Sequence, residues 1–433
     1  MIKEPRLTLF DLAICLSDAA DLVSPALVNH HKQVAYIASV IGAEMGLDDE
    51  QRKDLVLAGA LHDMGALSLN ERLESMIFDT REINDHAEVG YTLLRMFRPL
   101  RRIADIVRRH HCCWNQGEGD TSNGKPVPVE SHIIHLADRI AILIDTDKEI
   151  LGQADEIKRT ISDKRGSMFH PEALDGFMAA AEKEYFWLDS VSTTAYRILR
   201  RKVRMKTLTL NISQLHDLAR FFSRIIDFRS KFTATHSAGV AATAAALARF
   251  AGFSKRECEY MRIAGFLHDL GKLAVPKEIL EKPGKLDKSE FDRVRSHTYY
   301  TYRILDTLED FDTINTWGAF HHERLNAKGY PFHHRGDVLS LGSRIMAVSD
   351  IFTAVSEDRP YRPGMPADQV SSVLKTMASS DSIDPFVVSL LEEHRAEINE
   401  ARRKVQIESQ KMYRDVIEMP TPISEKTLSH DSI

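Results

Sequence analysis

The chain repeats itself, and the repeat limits what it can fold into more than any single motif does. Residues 46–67, GLDDEQRKDLVLAGALHDMGAL, align without a gap with residues 252–273, GFSKRECEYMRIAGFLHDLGKL, at an offset of 206. Each copy opens on glycine and then offers a helix cap three residues ahead of a partner, Asp48 with Gln51 and Ser254 with Glu257. Each ends in A-G-x-L-H-D-x-G. Histidines carry the register further. His30 to His62 and His236 to His268 both span 32 residues, and His86 to His110 and His297 to His321 both span 24. His111 to Asp138 spans 27, and His322 to Asp350 spans 28. So many coincidences of type and spacing identify a tandem duplication of one domain. The boundary is expected near residues 200–215, giving domains over 1–205 and 206–418 and a polar, mobile tail over 419–433.

The fold class follows from periodicity. Apolar residues recur at helical spacing, as in Val34, Ile37, Ala38 and Ile41, while period-2 alternation is scarce. The expectation is an all-α protein of two tandem helical domains. The breaks are short and polar, over 117–128, 282–287 and 326–336. A hydrophobic content of 43% and a net charge of −6 exclude wholesale disorder and the basic field of a nucleic-acid coat, so no DNA or RNA polymer is expected as a partner. The basic run from Arg200 to Lys206 reads as a solvated helix face. No run of about 18 apolar residues exists to insert in a membrane, and Asp11 and Asp18 interrupt the short apolar stretch near the start. Four cysteines, two of them the adjacent pair Cys112 and Cys113, make no disulfide framework. A cytoplasmic location is expected. The sequence names no protein partner.

The excess is histidine, at 19 residues. In the second half His268 and Asp269 stand near a helix end with Gly271 as a stop. On a continuing helix they would point about 100° apart, converging on a groove and not on each other. Lys272 would share a face with His268. An imidazole and a carboxylate together suit a divalent transition metal, and a lysine beside metals calls for a bridging anion such as phosphate. His236, His297, the adjacent pair His321 and His322, and Asp350 complete the set. Asp350 lies in the apolar run RIMAVSDIF, where a carboxylate is costly unless paired or metal-bound.

These residues resemble the HD-GYP family, a branch of the HD metal-dependent phosphohydrolases. The matching strings are His236-Ser237, HDLGK at 268–272, His297, HHERLNAKGYP at 321–331, Asp350 and RPYR at 359–362, spread over about residues 225–400. The resemblance implies an all-helical fold around a binuclear iron or manganese centre that hydrolyses cyclic dinucleotides, cyclic di-GMP or 3',3'-cyclic GMP–AMP. It implies His236, His268, Asp269, His297, His321, His322 and Asp350 as metal ligands, with Asp269 bridging. Lys272, Arg359 and Arg362 would hold phosphates, and Tyr330 would line the substrate pocket. Arginine's planar fork suits phosphate. Three departures stand out. Phe232 replaces a glutamate that some members use for a third metal, so two metals are expected. Asn326-Ala327 replaces the usual acidic-glycine pair, and Thr353-Ala354-Val355 replaces D-A-L.

In the first half the same register gives His30, His62, Asp63, His86, His110, His111 and Asp138, a candidate second metal site. The substrate parts are missing: Ala66 stands for the lysine, Gly124-Lys125-Pro126 is the nearest remnant of GYP, and nothing follows Asp138 like RPYR. Loss of phosphate cations removes electrostatic stabilisation, so this half reads as non-catalytic. His31 reads as a spare surface histidine, and Arg101, Arg102, Arg108 and Arg109 as a solvent face. The expected function is a cyclic-dinucleotide phosphodiesterase cutting in the second half to a linear dinucleotide, with a second cut to mononucleotides left open. The rivals are a cyclic-dinucleotide receptor with little turnover and a general nucleotide phosphohydrolase.

Overall fold

The computed structural model describes residues 4–21, 29–66, 78, 85–122, 124–229, 235–358 and 363–417. The 419–433 tail, Phe232, Arg359 and Arg362 therefore lie outside the described residues. The architecture is helical, with two short antiparallel ribbons. In the first half come α1 (Leu9–Asp21), α2 (His30–Glu44), α3 (Asp49–Leu61), α4 (Asp85–Met96), α5 (Arg101–Arg108) and α6 (Val129–Leu143). Four further helices run between Ala154 and Lys202. The second half holds α7 (Ile212–Arg229), α8 (His236–Phe250), α9 (Lys255–Leu267), α10 (Lys288–Asp306), α11 (Asp312–Ala319), α12 (Leu341–Ser356) and, at its end, α13 (Arg395–Ile417). Among the described residues no helix is long and apolar enough to cross a membrane.

Both sequence-read capping boxes form. Asp48 accepts from the Gln51 amide at 2.8 Å and Ser254 Oγ from the Glu257 amide at 3.3 Å, and each partner side chain returns the bond. They start α3 and α9, the helices that deliver the H-D pairs. The basic run after Arg200 is mostly exposed, as a solvated face should be.

Glycine sets how closely the helices cross. A Cβ on Gly265 would lie 2.5 Å from the Ala241 Cα, and one on Gly59 would lie 2.7 Å from the Ala35 Cα. So α9 can lie against α8, and α3 against α2, only because these positions carry no side chain. The glycine that ends each H-D-x-G does the same for the next helix. A Cβ on Gly271 or Gly65 would fall 1.9 Å from the carbonyl oxygen of His297 or His86. The repeated A-G-x-L-H-D-x-G thus encodes two close approaches, which bring the histidines of three helices together.

The halves also interlock. β1 (Arg6–Thr8) pairs antiparallel with β4 (Thr207–Thr209), Leu7 opposite Leu208; the second ribbon joins β2 (Thr121–Ser122) and β3 (Lys125–Pro126). Helix α1 packs on α3 of its own half and on α10 of the other, with Cys15 Sγ 3.4 Å from the Ile304 carbonyl. Helix α7 reciprocates, packing on α9 and on α4, where Phe97 and Phe221 stack at 6.1 Å.

Gly265→Ala gains about 1 kcal/mol of helix propensity but must part α8 from α9, and overpacking of this kind costs about 1–3 kcal/mol. A net loss of stability is expected in urea denaturation. A net gain would show that the crossing yields freely.

Candidate metal centres

In the second half the seven sequence-read residues converge. His236, His268 and Asp350 form one group able to hold a metal ion, and His297, His321 and His322 form another. Asp269 stands between them. Its Oδ2 lies 3.2 Å from His268 Nε2 and its Oδ1 lies 3.4 Å from His297 Nε2. One carboxylate thus faces both groups with different oxygens, the disposition a bridging ligand needs. All of these residues are buried except His322, which is partly exposed.

The contact between His268 and Asp269 corrects the expectation that they point apart. Helix α9 ends at Leu267, and Asp269 adopts φ −100° and ψ 10° ahead of a 3-10 turn over Leu270–Ala274. The chain therefore turns the carboxylate back toward its neighbour. The same turn, and not a shared α-helical face, carries Lys272, whose Nζ donates to Asp269 Oδ2 at 2.6 Å. The anion that steadies this lysine is a side chain of the protein itself.

The imidazoles are aimed by one local device. His268 Nδ1 meets the Gly265 carbonyl at 2.8 Å, His297 Nδ1 the Val294 carbonyl at 2.5 Å and His321 Nδ1 the Gly318 carbonyl at 2.7 Å. In the first half His62 and His110 bond Gly59 and Val107 in the same way, at 2.9 and 2.6 Å. Each acceptor lies three residues upstream. With Nδ1 donating, Nε2 keeps its lone pair and points inward, as in metal-bound histidines oriented by an outer hydrogen bond. The Nε2 atoms of His268 and His62 are buried and have no hydrogen-bond partner among the described residues.

Electrostatics agrees. Burial pushes His297 down to about 4 and His322 to about 3, and holds His321 well below its ordinary value, so all three are neutral donors at pH 7. Burial opposes the charge on Asp269, but His268 and Lys272 outweigh it and keep the carboxyl well below the usual range. Asp350 is held low in the same way by His236 and His322. His236 is the exception: burial works against its charge, yet Glu357 and Asp350 raise it to about 10. The pocket between these carboxylates favours a positive charge. Neutral imidazoles, buried carboxylates and inward lone pairs together fit a divalent transition metal.

Glu357 was not read from the sequence. It is buried, lies 3.0 Å from His236 Nδ1, and is braced by Gln406 of α13 at 3.2 Å. Glu323, the glutamate of HHE, accepts from the amides of Phe332 at 2.7 Å and His334 at 3.0 Å, and so shapes the GYP loop. Tyr330 in that loop sits 4.9 Å from the His322 ring, with the Arg295 guanidinium 5.0 Å from its own. Burial pushes its phenol up to about 12, so it stays a donor. Arg324 is a further partly buried cation beside Asp350 and Tyr330.

The first half builds a corresponding pair of groups, with Asp63 in both: His30, His62 and Asp63, and Asp63, His86, His110 and His111. Asp63 Oδ2 lies 3.5 Å from His62 and Oδ1 3.2 Å from His86. Asp138 differs from Asp350: one oxygen faces His30 at 3.1 Å, and the other accepts from the buried Arg139 at 2.8 Å. The expected surface role of His31 is wrong. It is 1% exposed, and its Nδ1 lies 2.5 Å from Asp21 of α1, a packing invisible to local periodicity. Arg109 is also buried and pairs with Asp105, and Arg108 is half-buried against Glu88; Arg101 and Arg102 are exposed as expected.

Comparison with known proteins places this geometry. Profiles described as HD domain match residues 27–143 and 220–387. A 3'3'-cGAMP-specific phosphodiesterase 3 of Vibrio cholerae is 31% identical over 329 residues, covering 73% of this chain and 70% of that protein. The chain belongs to the HD-GYP family. Its two HD domains stand in tandem. A 3'3'-cGAMP-specific phosphodiesterase 1 of the same organism is 27% identical, covering 87% of this chain and 89% of the relative. A cyclic di-GMP phosphodiesterase of Pseudomonas aeruginosa is 40% identical over 159 residues, 36% of this chain and 38% of the relative. The fold matches a crystal structure of a cyclic GMP-AMP specific phosphodiesterase of V. cholerae with a TM-score of 0.63 at 24% identity, covering 90% of this chain and 97% of that one.

The depressed histidines make a pH prediction for the metal-free protein. Groups held neutral when folded but titrating near 6.5 when unfolded stabilise above that pH. Stability is therefore expected to fall as pH drops from about 6.5 through the folded values of about 4 and 3 for His297 and His322. His236 has the opposite sign: its contribution is present below about 6.5 and lost as pH rises through about 10. Urea midpoints across pH check both limbs. Stability that is flat between pH 6.5 and 4 would contradict the burial of neutral imidazoles.

Proposed function

We propose that the protein is a metal-dependent cyclic-dinucleotide phosphodiesterase whose catalytic centre lies in the second half. The observation that carries the reading is Asp269, which faces a three-ligand group with each oxygen and holds Lys272 at the edge of the cluster. The ligands we assign are His236, His268, Asp269, His297, His321, His322 and Asp350, taking two divalent transition metals, iron or manganese. Such a pair supplies Lewis acidity toward phosphoryl oxygens and a water acidic enough to attack phosphorus at neutral pH.

The chain's own residues do the rest. Lys272 offers a positive charge to the phosphoryl oxygens as negative charge builds on them. Arg359 and Arg362 present forked donors for the phosphates. Tyr330 walls the pocket above His322 and keeps its hydroxyl proton. Glu357 orients His236. The substrate we favour is 3',3'-cyclic GMP–AMP, with cyclic di-GMP as the other candidate and a linear dinucleotide as product. Relatives named for the former include those that span most of this chain, whereas the cyclic di-GMP relative from P. aeruginosa matches little more than a third of it. The intact Lys272 and the relatives' names speak against a receptor without turnover.

We assign 1–205 and 206–418 as the two domains, and read the first as non-catalytic. It keeps the metal-ligand types but has the buried Ala66 where Lys272 stands, and Arg139 occupies an oxygen of Asp138.

Chelation is expected to abolish hydrolysis, and Asp269→Ala to remove metal and activity together. Lys272→Ala should keep the metals and lose about 10²-fold in turnover. Metal loss equal to that of Asp269→Ala would make Lys272 structural. Glu357→Gln is expected to weaken metal binding about 10-fold or more, measured by competition with a chromophoric chelator. The halves are separated by two double variants checked for folding by circular dichroism. His268→Ala/Asp269→Ala should abolish turnover, while His62→Ala/Asp63→Ala should lower rate only in part. Full activity in the first with none in the second would move catalysis to the first half.

A further inference from the structure

The geometry points to a second ligand site, for a nucleoside monophosphate, in a cavity between the two halves. The cavity holds about 330 Å³ and is bounded by α4, α7, α8, α9 and α13. It shares no residue with either metal cluster. Its volume is at the lower end of the range for small-molecule sites, which suits a ligand with one ring system.

Three arginines line it: Arg220 and Arg224 of α7, one turn apart, and Arg262 of α9. Arg224 decides the argument. It is 8% exposed, and among the described residues it has no hydrogen bond or ion pair. Buried charges are normally paired, because desolvation is too costly otherwise. An arginine whose residue is mostly buried but which lines an open cavity, with a second one turn away on the same helix, can meet an anion from outside the chain. Among the described residues Arg262 has a single loose partner, Glu259 at 3.6 Å. Guanidinium forks match phosphate oxygens two at a time.

The rest of the lining argues against a bare ion. Phe266 and Met96 provide aromatic and apolar wall, suited to the face of a base. Asp217 and Glu408 add acceptors. Two carboxylates would weaken a site for simple phosphate, but they match a ligand that also carries ribose hydroxyls or base N–H donors. A nucleoside monophosphate has all three features: an anion, a flat ring and donors.

The test is isothermal titration of the full-length Asp269→Ala protein in chelator, with GMP, guanosine and inorganic phosphate as separate titrants. That background removes the metal-centre residue that a nucleotide product would otherwise engage there. GMP is expected to bind at one site per chain, at least tenfold more tightly than guanosine or phosphate. Arg224→Gln should weaken it about tenfold or more, as loss of a charged hydrogen bond does. Arg220→Gln, at an exposed position that folding does not require, should also weaken it. Absence of GMP binding, binding unchanged in the Arg220→Gln variant, or equal affinity for phosphate alone would each overturn the assignment. Because the test protein lacks Asp269, failure here leaves the reading of the catalytic centre intact, and failure of that reading leaves this one testable.

Discussion

A methyl group is too large for the places where the helices of each half cross. Gly59 and Gly265 let one helix lie against the backbone of the last, and Gly65 and Gly271 let the next helix close over the turn. Every other feature of the centres depends on that contact. With the backbones this close, His236 and His268 come within 5.5 Å ring to ring, and His297 reaches Asp269. The price of the close approach is conformational, since glycine is poor in helices, and it recurs in both halves because both halves assemble the same groups.

Within that frame, local chemistry does the aiming. A histidine within a helix or just beyond its end can donate Nδ1 to a carbonyl one turn back, which leaves Nε2 as an inward acceptor. Five histidines use the device, across both halves. The divergence between halves is correspondingly confined to what surrounds the cluster. Thr301, which bonds the Gly271 amide and the His268 carbonyl, has a glycine at the matching position of α4, and Ile351 beside Asp350 matches Arg139 beside Asp138. Asp350 turns both oxygens toward histidines, while Asp138 gives one of its own to an arginine.

Much of this was legible in the sequence, for a physical reason. Capping boxes, helical periodicity and the spacing of repeated histidines are local or reinforced by duplication, so they survive without tertiary knowledge. What was missed depends on the fold. His31 looked superficial until α1 brought Asp21 to it. Glu357 lies beyond the last metal-type aspartate, on no motif, and becomes relevant only because α12 ends beside the start of α8. The sequence places Lys272 on the face of His268 because it reads the helix as continuing, whereas the chain tightens into a 3-10 turn after His268 and sets the lysine on Asp269. Arg224 carried no signal in the sequence, since an arginine on an amphipathic helix normally faces water.

Helix α1 belongs to two cores at once, and this sets an order of events during synthesis. Cys15 meets Ile304 across 289 residues of chain. At the ~5–20 residues per second typical of translation, the second core's contribution emerges roughly 15–60 s after the helix does. Through that interval one apolar flank of α1 has no native cover. The nascent first half is therefore a natural client for chaperones that shield such surfaces, and a fragment ending before α10 would keep that need permanently.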